Sequence, residues 1–164
     1  MDALGEDTLM KKIALSSVYS HDPNSYHMYI GMLYALLEQR KPNESISHKK
    51  MPTLVEHTSF IANRPYEAWY VIHDMGEVGY PVVGAVYLNL DDSIGISIYD
   101  RHKRQGYASA AIKELMNEHP RNTYWANINP ENHKSKDLFT KLGFKFYKSE
   151  KHQDVYVYLP NQEE

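Results

Sequence analysis

Two hydrophobic periods alternate along the chain, and together they set out its elements. A short apolar run at 13–18 predicts a first strand. Asp22-Pro23-Asn24 then signals a helix start, with proline in the first turn. Tyr26, Ile30, Leu33 and Leu37 follow at spacings of three and four, so the helix runs to about Arg40, where Lys41-Pro42-Asn43 stops it. Residues 43–51 are polar and read as a loop. Thr53 and Glu56 form a capping box before a second helix, with Leu54, His57, Phe60 and Ile61 inward and its end near Asn63-Arg64-Pro65.

Strand signals come next. Residues 69–73, 82–90 and 94–99 are rich in β-formers and are separated by the turns Asp74-Met75-Gly76-Glu77 and Asp91-Asp92, which predicts an antiparallel meander. In the second strand Val83, Ala85, Tyr87 and Asn89 share one face, and Gly84, Val86 and Leu88 the other. A basic turn at 100–106 leads into a third helix with Ala108, Ala111, Ile112 and Leu115 on one face, stopping at His119-Pro120. Residues 123–128 read as a strand. Pro130-Glu131-Asn132 opens a last helix, with Leu138, Phe139 and Leu142 inward and Gly143 closing it. Residues 144–147 and 155–159 complete a final strand pair. The order β-α-α-β-β-β-α-β-α-β-β predicts a mixed α/β or α+β domain. Its switch from meander to strand–helix–strand at 98–128 is where a sheet can open a crevice for a ligand.

Composition narrows the function classes. The chain's 164 residues suit one domain: we expect a frayed leader at 1–10, a single domain at 11–160 and a polar tail at 161–164. The net charge of -3 argues against a chain coated in nucleic acid. With no cysteine, a disulfide scaffold, a thiolate-ligated metal and a thiol nucleophile are excluded, and a reducing cytoplasm is the expected setting. No apolar run approaches the roughly 18 residues of a membrane span. The nine histidines are scattered without an H-x-x-x-H pair, so no metal is expected.

The richest segment is Ile98-Tyr99-Asp100-Arg101-His102-Lys103-Arg104-Gln105-Gly106-Tyr107-Ala108-Ser109, where a strand runs into a basic turn and then a helix that begins with small residues. The first amides of a helix have no internal partners and carry the positive end of its dipole, so an anion such as a pyrophosphate is their natural guest. Downstream stands Asn132-His133-Lys134-Ser135-Lys136-Asp137-Leu138-Phe139-Thr140-Lys141-Leu142-Gly143-Phe144. Together with the meander, these two segments resemble the GNAT superfamily of acetyl-CoA-dependent N-acetyltransferases. Lys103 to Ala108 match that family's Q/R-x-x-G-x-G/A turn, with Lys in the first place. Asn132, Ser135, Leu138, Phe139, Lys141, Leu142, Gly143 and Phe144 match its second signature.

The resemblance implies a mostly antiparallel central sheet, splayed in the middle and flanked by about four helices. It implies acetyl-CoA as co-substrate and no metal. Pantetheine would pair with backbone near Ile98 and Tyr99, and the amides of 104–109 would hold the pyrophosphate, with Lys103 and Arg104 adding charge. The coenzyme site then comprises Ile98, Tyr99, Lys103, Arg104, Gln105, Gly106, Tyr107, Ala108, Ser109, Asn132, Ser135 and Phe139.

The transfer needs a neutral amine, a polarised thioester and a protonated leaving thiol. The strand at 94–98 has no carboxylate to take the amine proton. Asp91, Asp92 and Asp100 read as turn residues. Phe139 stands where the family often has a proton-donating tyrosine. The catalytic candidates are therefore His57, beside the gap, and Asn127, on its border, with Asn129 organising the turn at Pro130. Lys49, Lys50, Lys148 and Lys151 at the mouth, beside Glu44 and Glu150, suit a phosphorylated acceptor. The leading expectation is acetylation of a primary amine on a small molecule, an amino sugar or nucleotide-linked amino sugar, by a monomer or homodimer with no membrane partner. Three readings compete: a protein or nucleic-acid-base amine as acceptor, a non-catalytic acyl-CoA sensor, and a nucleic-acid module built on Arg101, Lys103 and Arg104.

Overall fold

The computed structural model describes residues 10–46 and 50–161. Most of the expected leader, the lysine at 49 and most of the expected tail lie outside the described residues. The elements come in the expected order: β1 (Ile13–Ser17), α1 (Pro23–Glu38), α2 (Leu54–Ala62), β2 (Ala68–Asp74), β3 (Val82–Leu88), β4 (Ile94–Ile98), α3 (Tyr107–Glu118), β5 (Tyr124–Ile128), α4 (His133–Lys141), β6 (Lys145–Glu150) and β7 (Gln153–Tyr158). Single 3-10 turns occupy Pro42–Glu44 and Asp100–His102.

Local chemistry sets the helix boundaries. Asp22 caps α1 through the Ser25 N–H, and Pro23 occupies its first turn. Thr53 and Glu56 close a reciprocal capping box on α2. At the end of α4 the Phe144 N–H reaches the Phe139 carbonyl and the Gly143 N–H reaches Thr140, with Gly143 at φ 99°. This is a Schellman closure, and the Phe139 and Phe144 rings meet edge to face at 5.0 Å to supply its apolar contact. Phe144 thereby belongs to the helix end, so β6 begins one residue later than the pattern suggested.

The sheet is split. Strands β1-β2-β3-β4 form one antiparallel meander, and β5-β7-β6 form a second antiparallel set. Helix α3 covers one face, where Ile72, Val86, Leu88, Ile94 and Ile98 pack with Ala111, Ile112 and Leu115. The same core takes in Tyr124, Ala126, Ile128, Phe139 and Phe144, so it spans both strand sets. Helices α1 and α2 cover the other face of the meander through Ile30, Leu33, Leu36, Ile61, Trp69, Val71 and Ala85.

Two inward positions expected on α2 are corrected. Leu54 and Phe60 are 53% and 41% exposed, while His57 and Ile61 are buried. A nine-residue helix offers only a narrow stripe to α1, and residues four apart fill it. Phe60 lies at the stripe's edge, where its ring still meets Tyr66 and Trp69.

Candidate active site

Strands β4 and β5 run parallel and touch at one end. Ser93 bridges to Trp125 there, and the Trp125 N–H donates to the Asp92 carbonyl at 3.0 Å. Beyond that point β4 pairs with β3 and β5 with β7, and a V opens between them. The Tyr99 N–H donates to Val83. The Ile98 carbonyl, on the opposite side of the same peptide, therefore faces away from β3 and toward the V.

The basic turn lies at the open end of the V. Arg104 sits at φ 64° and Gly106 at φ 90° before α3 begins. A side chain on Gly106 would meet only the Lys11 stem, at 3.7 Å. Room is therefore plentiful, and it is the left-handed backbone that favours glycine. The N–H groups of Tyr107, Ala108 and Ser109 open the helix, and the Ala110 N–H is the first to find its helical partner, Gly106. An open, left-handed approach to a helix N-terminus fits a linked diphosphate.

Tyr107 faces inward. It is buried, and its hydroxyl donates to Asp74 Oδ2 at 2.6 Å. The carboxylate partner pushes the phenol up to about 12, and the same hydrogen bond holds Asp74 below its ordinary range. Tyr107 thus locks the start of α3 to the end of β2. Gln105 turns back to the Arg101 carbonyl at 3.4 Å. Asn132 caps α4 by accepting the Ser135 N–H at 3.2 Å. Phe139 is 3% exposed and belongs to the core.

The expectations missed a strap across the open end of the V. Gln39, capping α1, donates its side-chain amide to the Ile98 carbonyl at 2.8 Å and accepts the Asp100 N–H at 3.0 Å. One side chain thereby imitates a neighbouring strand on the free edge of β4. Lys103, expected to offer its charge to phosphates, pairs with Asp100 at 2.8 Å and Glu44 at 3.2 Å. Beyond β5, Asn129 donates to the Ser45 carbonyl at 2.8 Å and accepts the Glu131 N–H at 2.9 Å. Asn129 does organise the turn at Pro130, and it also anchors the strap. The contacts of Gln39 with Ile98, Lys103 with Glu44 and Asn129 with Ser45 link residues 59 to 84 positions apart, so no local pattern announces them.

The candidate catalytic side chains separate. His57 is 3% exposed between α1 and α2, its Nε2 3.3 Å from the Ile30 carbonyl and its ring against Tyr34. Burial pushes its pKa down. An acceptor amine could reach it only by parting the helices. Asn127 is half-buried and shares a β5 face with Trp125, opposite the face that carries Ala126 into the core. Its Oδ1 lies 3.4 Å from Gln153 Nε2. The three turn aspartates are all engaged: Asp91 accepts from Ser93 and Asp100 from Lys103 within their own turns, while Asp92 accepts from the distant Arg121.

The family model of the GNAT acetyltransferase domain matches residues 21–145. The chain belongs to the GNAT acetyltransferase family. No curated protein matches the sequence. Among solved structures, the fold is shared with a domain from Methanocaldococcus jannaschii DSM 2661, at TM-score 0.70 and 20% identity over 91% of this chain and 99% of that one. It is shared with the microcin C7 self-immunity acetyltransferase MccE, solved with acetyl-CoA and AMP, at TM-score 0.67 and 19% identity over 92% and 94%. A dodecameric spermidine N-acetyltransferase from Vibrio cholerae follows at TM-score 0.63 and 17% identity over 93% and 98%.

This GNAT chain is thus an acetyltransferase that uses acetyl-CoA. Among the described residues no cluster of His, Asp and Glu could hold a metal ion. No helix of the described residues is long and apolar enough to cross a membrane.

Proposed function

We propose that the chain moves the acetyl group of acetyl-CoA onto a primary amine of a small molecule, an amino sugar or nucleotide-linked amino sugar, in a reducing cytoplasm. The observation that carries the coenzyme side is the left-handed Gly106 opening α3 at the mouth of the V. In this reading pantetheine lies along the free edge of β4 near Ile98 and Tyr99. The N–H groups of 104–109 hold the pyrophosphate, and Lys103 and Arg104 add charge. Asn132 donates its amide nitrogen to pantetheine, beside Ser135.

The acceptor side is argued from charge. Glu44 is paired with Lys103, and Glu150 with Lys148 and Gln153. Neither is free to receive a polycation, whereas Lys50 and Lys151 are exposed. An acceptor that itself bears phosphate suits such a mouth better than a polyamine does.

One calorimetric and kinetic series tests both sides. Gly106→Glu should abolish acetyl-CoA binding while far-ultraviolet circular dichroism stays native. Gly106→Ala, with the same backbone strain and no reach toward phosphate, should retain most of it. Thiol release should be faster with glucosamine 6-phosphate than with spermidine. Unchanged binding by Gly106→Glu would falsify the cradle.

A further inference from the structure

The transfer reading leaves its proton unassigned, and the structure offers a hydroxyl for it. Tyr87 on β3 stands directly opposite Gly95 on β4. A Cβ built on Gly95 would lie 2.0 Å from Tyr87 Cζ and 2.4 Å from its hydroxyl oxygen. The phenol therefore lies flat across β4 in the space that glycine leaves, and its oxygen has crossed from β3 to the strand that borders the V. Its face is the one that carries Ala85 toward α1 and α2, away from α3.

The level along the V is informative too. Ser93 bridges to Trp125 in parallel register. Two residues further on, the same register sets Gly95 level with Asn127, just above the point where the strands part. Gly95, Ile96 and Ser97 are each half-buried there, so the middle of β4 is reachable from solvent. The ring is held firmly. Tyr66 stacks on Tyr87 with centroids 3.8 Å apart and planes within 8°, and Trp69 closes edge-on at 6.4 Å. Burial raises the pKa of both phenols, so Tyr87 stays protonated; its hydroxyl has Tyr66 as a side-chain hydrogen-bond partner, and the charges acting on it are those of Arg40 and Asp91.

We infer that Tyr87 is the catalytic proton relay of the acetyl transfer. The inference rests on the transfer reading above. As the amine nitrogen bonds to the acetyl carbon, the C–S bond breaks and its electron pair passes to sulfur. The Tyr87 O–H gives its proton to that sulfur, and the phenolate oxygen takes the proton that the nitrogen sheds. The sum is one amide, one free thiol and an unchanged tyrosine. Asn127, level with Gly95 across the V, is placed to orient the amine. A relay of this kind accounts for a site with neither a β4 carboxylate nor a tyrosine at position 139.

The test compares wild type with Tyr87→Phe in the full chain. Thiol release from acetyl-CoA is followed with glucosamine 6-phosphate and with water alone. Tyr87→Phe should lower kcat by about 100-fold or more, the usual size of a lost proton donor, with the Kd for acetyl-CoA unchanged in calorimetry. At pH 9, free coenzyme A, bound as thiolate, should bind the variant about tenfold more weakly, as for loss of a hydrogen bond to a charged group. Tyr66→Phe, which keeps the stacked ring, should bind acetyl-CoA as wild type does. A Tyr87→Phe kcat within threefold of wild type, or equal affinity for the thiolate, overturns the relay. Wild type that fails to bind acetyl-CoA overturns the transfer reading instead.

Discussion

Tyr107 shows how one side chain can serve the coenzyme turn without facing a ligand. Its position is variable in the turn signature, and its ring is buried against the meander. Tyr107→Phe should cost about 1.5–3 kcal/mol, the range for a buried hydrogen bond to a charged group, read as a lowered denaturation midpoint. The Asp74 side adds a pH dependence. Its pKa is depressed in the fold, so its contribution is present above the unfolded value of 3.8 and is lost as pH falls through the lower folded value. Wild type should therefore lose this increment of stability in acid below about pH 4, and Tyr107→Phe should show a shallower acid loss. Arg104 is the converse case. A non-glycine residue at φ 64° costs roughly 1–2 kcal/mol, and such strain collects at functional turns.

At the scale of elements, the strap between α1 and α2 decides how the coenzyme edge is presented. Gln39 covers the Ile98 carbonyl, and Glu44 holds Lys103. In the proposed reading both partners are wanted by the coenzyme, so binding must exchange one set of contacts for another. Glu44→Gln removes a negative charge from beside the phosphate position and leaves Lys103 with Asp100 as its remaining carboxylate partner. Calorimetry should show acetyl-CoA binding several-fold tighter at low salt, with the gain shrinking as salt screens the turn. Equal affinity in the two proteins would count against Lys103 as a phosphate contact.

The elements themselves were legible because each carries its own period and caps. The capping box at Thr53, the proline at position 23 and the glycine at position 143 are local signals with local effects. The strap was not legible, since Gln39 has no reason within its own helix to face position 98. Tyr87 could be assigned to a strand face by alternation. Only the register against Gly95 shows that its ring crosses the neighbouring strand. Lys103 is a cation at the turn by sequence alone and its partner Asp100 stands three residues before it, while its partner Glu44 depends on tertiary placement.

At the scale of the whole molecule, the V needs a fixed closed end. Arg121 supplies much of it, reaching Asp92 at 2.9 Å in the turn before β4 and pairing with Glu67 just ahead of β2. Next to it the Trp125 N–H meets the Asp92 carbonyl. Arg121→Ala should cost about 1 kcal/mol, since the pair is partly exposed. It should also speed hydrogen exchange at the Trp125 amide more than at Ala126, whose ladder lies within β5 and β7. Equal protection of Trp125 in the two proteins would show that the strand ends hold together without the arginine.

The division of the sheet has a consequence for biosynthesis. Every ladder partner of β1 to β4 lies within the first hundred residues, and apart from the Ser93–Trp125 bridge β5 to β7 pair among themselves. A nascent chain can therefore pair its first four strands as they emerge from the ribosome, with no strand partner needed from residues 124–158. The late-emerging portion then docks through side chains around Ile112 and Phe139, with scarcely any backbone stitching to the earlier one.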